Sequence, residues 1–201
     1  MERSARRLLW SVWAVAVVSG VGLLWYVADA AKAVALPRYG RVPSFTLTDQ
    51  AGGSVSQETF KGVVWIADFI FTRCAGQCPV MTAQMSRLAQ AFQGEPSLVL
   101  VSFTVDPAHD TPEILARYAA SHAARPAQWR FLTGDLQTIT RLSQAGFQLA
   151  LSYEGTVEEP ITHSRRFVLV DRQGVIRGSY DAGEAEAMTR IRRDVQRLVR
   201  E

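Results

Sequence analysis

Cys74 and Cys78 are the only cysteines of the chain, separated by Ala75-Gly76-Gln77 and followed by Pro79. Two thiols at this spacing can work as a dithiol–disulfide couple or as two ligands for a soft metal ion. A purely structural staple is a poor use of them, because closing so short a loop removes little entropy from the unfolded chain. A helix that begins at Pro79 would put Cys78 at its N-terminus and Cys74 on the loop before it. The helix dipole and the free N–H groups there favour the thiolate, which is the reactive and metal-binding form. That argument supports exchange and metal binding equally.

The elements that must position these thiols are legible on both sides. Val63 to Phe71 is an apolar run with the length and flanks of a buried strand. After Pro79, Met81, Met85, Leu88 and Phe92 recur at helical spacing, and Gly94 closes that helix. Upstream, Phe45 to Thr48 alternates as a half-buried strand and Asp49 to Gly53 is a turn; residues 34–44, with Pro37, Gly40 and Pro43, are a linker and domain entry. Leu98 to Val105 is a second apolar strand. Asp110-Thr111-Pro112-Glu113 starts a helix that buries Ile114, Leu115, Tyr118 and Ala119.

Trp129 to Thr133 is a short strand, and Asp135 opens a helix with Leu136, Ile139 and Leu142 inward, stopped at Gly146. Phe167 to Val170 and Val175 to Tyr180 form a hairpin around Asp171-Arg172-Gln173-Gly174. The last helix carries Met188, Ile191, Val195 and Leu198 on one face, with Arg190, Arg192, Arg193, Arg197 and Arg200 mostly on a solvated one. Alternating strands and helices predict a layered α/β sheet. A dithiol between the first long strand and the next helix is the thioredoxin-like arrangement, an analogy of fold that does not give function. Reductases of that type commonly have two residues between the cysteines. The three present here still permit a disulfide and also let both sulfurs face one ion.

In a thioredoxin-like sheet the loop that enters the hairpin lies beside the dithiol, and this loop carries His163. Two thiolates and one imidazole are a soft donor set that suits Cu(I) and also binds Cu(II). His109 and His122 read as solvated surface residues, and the spacing of Met81 and Met85 reads as core packing rather than thioether ligation. Asp106 and Asp110 are candidates for tuning the site or meeting a partner, with helix capping an equal account of Asp110.

The N-terminus sets the compartment. Arg3, Arg6 and Arg7 precede an uncharged stretch from Leu8 to Ala28, with Trp10, Trp13, Trp25 and Tyr26 toward its ends. At about 1.5 Å of rise per residue this stretch crosses a ~30 Å hydrocarbon core. The arginines predict a cytoplasmic N-terminus and an exported C-terminal domain, anchored by a single span in the cytoplasmic membrane. A cleaved signal peptide is the rival, with Ala28-Asp29-Ala30 as the cleavage site, but the apolar stretch is longer than a usual signal core. The expected organisation is therefore an anchor and linker start at 1–34, and one thioredoxin-like domain at 35–201. Outside the cytosol a disulfide is permitted unless a reductant maintains the thiols. The formal charge of +3 offers no basic field for nucleic acid.

The anchor, the strand leading to Thr72-x-Cys74-x-x-x-Cys78-Pro79, the segment Val105-Asp106-Pro107-x-x-Asp110-Thr111-Pro112 and the segment His163-Ser164 to Leu169-Val170-Asp171 together resemble the SCO/SenC family. The resemblance runs in order over about residues 41–200. It implies a thioredoxin-like fold, a membrane anchor, and one copper ion per chain held by Cys74, Cys78 and His163. It also implies a role in assembling the copper centre of cytochrome c oxidase, by delivering copper, reducing the target thiols, or both. The implied partners are the oxidase subunit that carries that centre, and a thiol reductant or copper donor. One departure is Ala75, where the family often has a second proline; with Gly76 beside it, the loop should be less rigid.

A copper-binding assembly factor is thus favoured over a turnover enzyme. The alternative is a thiol–disulfide oxidoreductase acting on exported partners, with His163 as an acid–base or tuning group. A redox sensor without turnover also stays open. A peroxidase of the peroxiredoxin type is disfavoured, because its usual Thr-x-x-Cys arrangement is replaced by Thr72-x-Cys74.

Overall fold

The structure, a computed structural model, describes residues 10, 13, 16–22, 35–74, 76, 78–154 and 161–201. The chain divides into two compact units, Met1–Leu36 and Pro37–Glu201. In the first unit residues 16–22 are helical. Most of the expected span at 8–28 lies outside the described residues, and among the described ones no helix is long and apolar enough to cross a membrane.

Among the described residues the second unit is built on ten strands and four α-helices. In chain order these are β1 (Gly40–Arg41), β2 (Thr46–Asp49), β3 (Ser54–Ser56), β4 (Val64–Ile70), α1 (Cys78–Ala91), β5 (Leu98–Thr104), α2 (Pro112–Ser121), β6 (Trp129–Thr133) and α3 (Leu136–Arg141). They continue with β7 (Leu151–Ser152), β8 (Thr162–His163), β9 (Arg166–Val170), β10 (Val175–Asp181) and α4 (Ala187–Arg200). Eight strands form one sheet in the order β1-β10-β9-β4-β5-β6-β2-β3, while β7 and β8 pair separately.

Every residue of β4 is buried, as expected for a strand at the centre of a sheet covered on both faces. It runs parallel to β5, from Val64 opposite Leu98 to Ile70 opposite Thr104. β6 extends the parallel set. Parallel neighbours need a crossover, and α1 and α2 supply it. On its other side β4 meets β9 antiparallel, and β9 turns back into β10. The turn between them needs Gly174, at φ 74°, and Asp171, whose Oδ1 accepts from the amides of Gln173 and Val175 at 3.0 and 2.9 Å.

Phe69 and Phe103 stack at 5.1 Å between ring centres, and Phe147 meets Phe69 edge-on at 5.5 Å. This aromatic packing fixes the end of β4 from which the cysteine loop departs. Met81 and Met85 lie in the core, as their spacing predicts.

Five local expectations are corrected. In α2 only Leu115 and Ala119 are buried, while Ile114 and Tyr118 are half-buried. The segment 34–44 contains the short edge strand β1, whose backbone pairs with β10. Leu136 is exposed, because it occupies the first turn of α3 and only Ile139 of that helix is buried. Met188 is half-buried, and Ala187 takes the inward position at the start of α4. α1 begins at Cys78 itself, one residue before Pro79. The helix α3 passes at Leu142–Gly146 into a single π-type turn, and Gly146 ends it as expected.

Candidate metal centre

Strand β4 ends at Ile70, and four residues later Cys74 closes a turn in which its N–H donates to the carbonyl of Phe71 at 3.2 Å. Cys78 opens α1 and is only 1% exposed. The third residue comes from across the fold. His163 lies on β8, opposite Leu151. Its Nε2 is 2.9 Å from Sγ of Cys78, and the two sulfurs and one imidazole nitrogen all lie within 4.8 Å of one another. The structure therefore brings together the three residues that the sequence singled out. Neither cysteine is in a disulfide.

The ring of His163 is oriented by its neighbours. Nδ1 is 3.0 Å from the carbonyl oxygen of Ser164, and a carbonyl can only accept, so Nδ1 carries the proton. Nε2 then presents its lone pair to Cys78, whose S–H donates to it. Phe71 packs edge-on against the imidazole at 5.7 Å. A cavity of about 380 Å³ opens beside Cys74 and His163, lined also by Phe71, Ile161, Thr162, Ser164 and Arg165.

The electrostatics differ from the sequence expectation at one of the two thiols. Burial pushes the Cys78 thiol well above its ordinary range, with Cys74 and the carboxyl of Asp68 adding to the rise. Desolvation outweighs the helix N-terminus here. Without a metal, Cys78 is a thiol at neutral pH, and a cation that binds there must displace its proton.

The model of the SCO1/SenC family matches residues 36–200. This chain belongs to the SCO1/SenC family. It is 34% identical to the SCO1 protein homolog of Bacillus subtilis over 182 residues, covering 90% of this chain and 94% of that one. It is 35% identical over 153 residues to a Stutzerimonas stutzeri protein named for copper binding, covering 75% and 74% of the two chains. The solved structure of BsSco superposes with a TM-score of 0.72 at 33% identity, covering 82% of this chain and 98% of that one. BsSco is described as a member of the Sco family of cytochrome c oxidase assembly proteins, with a disulfide switch. The SCO1/SenC domain thus has the thioredoxin-like fold expected from its sequence.

The remaining candidates of the SCO1/SenC chain fall elsewhere. His122 is half-buried against the ring of Tyr118 at 4.7 Å, and burial lowers its pKa. His109 is exposed and contacts Asp110 at 3.0 Å. Asp106 accepts from Nε of Arg73 at 2.6 Å. Asp110 does not cap α2: Thr111 does, its hydroxyl accepting from the amide of Ile114. Sequence reasoning missed Asp68. It is wholly buried on β4, and neither carboxyl oxygen has a hydrogen-bond partner among the described residues. Burial raises its pKa to about 7, and its register partner on β5 is Ser102. The signal was present, as a lone acid inside an apolar strand run. Ala75 lies outside the described residues.

Proposed function

We propose that this chain is a membrane-anchored copper-binding assembly factor that holds one copper ion on Cys74, Cys78 and His163. It passes copper to, or reduces the thiols of, the copper centre of cytochrome c oxidase. The observation that carries this reading is the convergence of two sulfurs and one imidazole nitrogen within 4.8 Å, from residues 85 positions apart for Cys78 and His163. The donor set fits the ion, since thiolates select soft monovalent copper and imidazole also suits copper. The hydrogen bond from Nδ1 to Ser164 leaves Nε2 as the ligand atom, a common second-layer device at metal-bound histidines. Copper binding in the Stutzerimonas stutzeri relative and oxidase assembly in the BsSco family add support. The anchor rests on the uncharged stretch from Leu8 to Ala28 and leads into the exported domain at 35–201.

When bound, the ion supplies a transferable soft cation. The protein residues do the rest: Ser164 and Phe71 orient the imidazole, burial keeps the Cys78 proton in place until metal arrives, and the half-buried Cys74 faces the cavity. An anaerobic Cu(I) titration of the reduced full-length chain tests the reading. One tightly held ion in the wild type, clearly weakened in His163→Ala, supports it; no binding by the reduced wild type refutes it.

A second reading is favoured by the two thiols standing together and by the disulfide switch of BsSco: a thiol–disulfide oxidoreductase for exported partners. It predicts turnover with a disulfide substrate that is lost in Cys74→Ser and in Cys78→Ser. Full activity in both variants would exclude it.

A further inference from the structure

The chain just before Cys74 is held from the side by the loop that joins β5 to α2. Asp110 in that loop is 0% exposed, and its carboxylate is met on both oxygens. Oδ2 accepts from the amide of Thr72 at 3.1 Å and from the hydroxyl of Thr104 at 2.5 Å. Oδ1 accepts from the hydroxyl of Thr72 at 2.5 Å and lies 3.0 Å from Nδ1 of His109. The loop is closed on itself, with the amide of Asp110 donating to the carbonyl of Asp106 at 2.8 Å. The ion pair of Asp106 with Arg73 adds a second tie one residue nearer the thiol.

A buried carboxylate is costly unless its hydrogen bonds are made, so a satisfied one fixes its donors firmly. Thr72 is such a donor twice over, through backbone and side chain. Cys78 is fixed by α1 and His163 by β8, neither of which involves Asp110. Cys74 is the donor whose place depends on the preceding turn.

We propose that Asp110 is a positioning residue for the metal centre, holding Thr72 so that the Cys74 sulfur stands in reach of Cys78 and His163. The inference rests on the copper reading above. Releasing Thr72 leaves the Cys78–His163 pair in place and lets Cys74 drift. Copper then binds more weakly, and the Cys74–Cys78 disulfide forms less readily.

The test uses Thr72→Val, Asp110→Asn and Asp110→Ala in the full-length chain, with two readouts. The first is Cu(I) affinity by competition with a chromophoric chelator. The second needs no metal: the equilibrium in which oxidised dithiothreitol takes two electrons and two protons from Cys74 and Cys78, giving the protein disulfide and reduced dithiothreitol. Asp110→Ala should lose ~10-fold or more in Cu(I) affinity, the usual effect of removing a residue that orients a ligand, and should disfavour the disulfide by ~5-fold or more. Asp110→Asn, which keeps an acceptor oxygen, should recover part of both losses, and Thr72→Val should show a smaller shift in the same direction. Folded variants that stay within ~2-fold of wild type in both readouts overturn the proposal. If Asp110→Ala fails to fold, Thr72→Val decides, because it keeps the carboxylate. A wild type that binds no copper refutes the copper reading, while the disulfide equilibrium still tests the positioning.

Discussion

Sγ of Cys78 lies 2.9 Å from Nε2 of His163, although α1 carries one and β8 the other. The contact depends on the tautomer that Ser164 selects by accepting from Nδ1. It places a proton between the best soft donor and the imidazole lone pair that would share a metal with it. Occupation of the site by a cation is therefore coupled to loss of that proton.

The coupling gives a pH dependence. Because the Cys78 thiol is raised, it is protonated throughout the neutral range, and metal binding must release its proton. Apparent copper affinity should rise by roughly tenfold or more per pH unit across the neutral range. Calorimetry in buffers of different ionisation enthalpy should find at least about one proton released per ion at pH 7.5. Binding without proton release would mean that Cys78 is not a ligand.

The two thiols should also differ in reactivity. Cys78 is buried and its thiol raised, whereas Cys74 is half-buried and lines the cavity. Iodoacetamide should modify Cys74 faster by about tenfold or more, since only the accessible thiolate reacts. Fragment-ion mass spectrometry of the peptide that holds both cysteines separates the products. Equal rates would contradict the burial of Cys78.

Asp68 predicts a stability profile. Its pKa in the folded protein, about 7, is above the ordinary carboxylate value of 3.8, so between those values the native state binds more protons than the unfolded one. Stability from this group is highest at low pH, falls as pH rises through about 4 to 7, and is constant above that window. The fall is a few kcal/mol, at about 1.4 kcal/mol per pKa unit. Urea unfolding of Asp68→Asn at pH 5 and pH 8 should show the variant gaining on the wild type at the higher pH. Parallel profiles would show that Asp68 is not buried and raised.

Much of this was legible before the fold. The apolar runs of β4 and β5 and the helical spacing of Met81, Met85 and Leu88 describe the core because burial imposes their periodicity. The cysteine pair and His163 were legible as donors by chemical type. Three things were not. Strands of two or three residues, such as β1, β3, β7 and β8, have no periodicity to detect. The task of Asp110 depends on Thr72, 38 residues away. The raised thiol of Cys78 is set by how deeply α1 packs, a tertiary quantity that overrides the local helix-start argument.

The central claim is that copper sits on Cys74, Cys78 and His163, and X-ray absorption at the copper edge tests it most directly. The reduced full-length chain loaded with one Cu(I) should show a first shell of two sulfurs and one imidazole nitrogen, matching the donors that converge here. His163→Ala should lose the nitrogen, and Cys74→Ser one sulfur. A wild-type shell without imidazole, or one unchanged in these variants, would contradict the account.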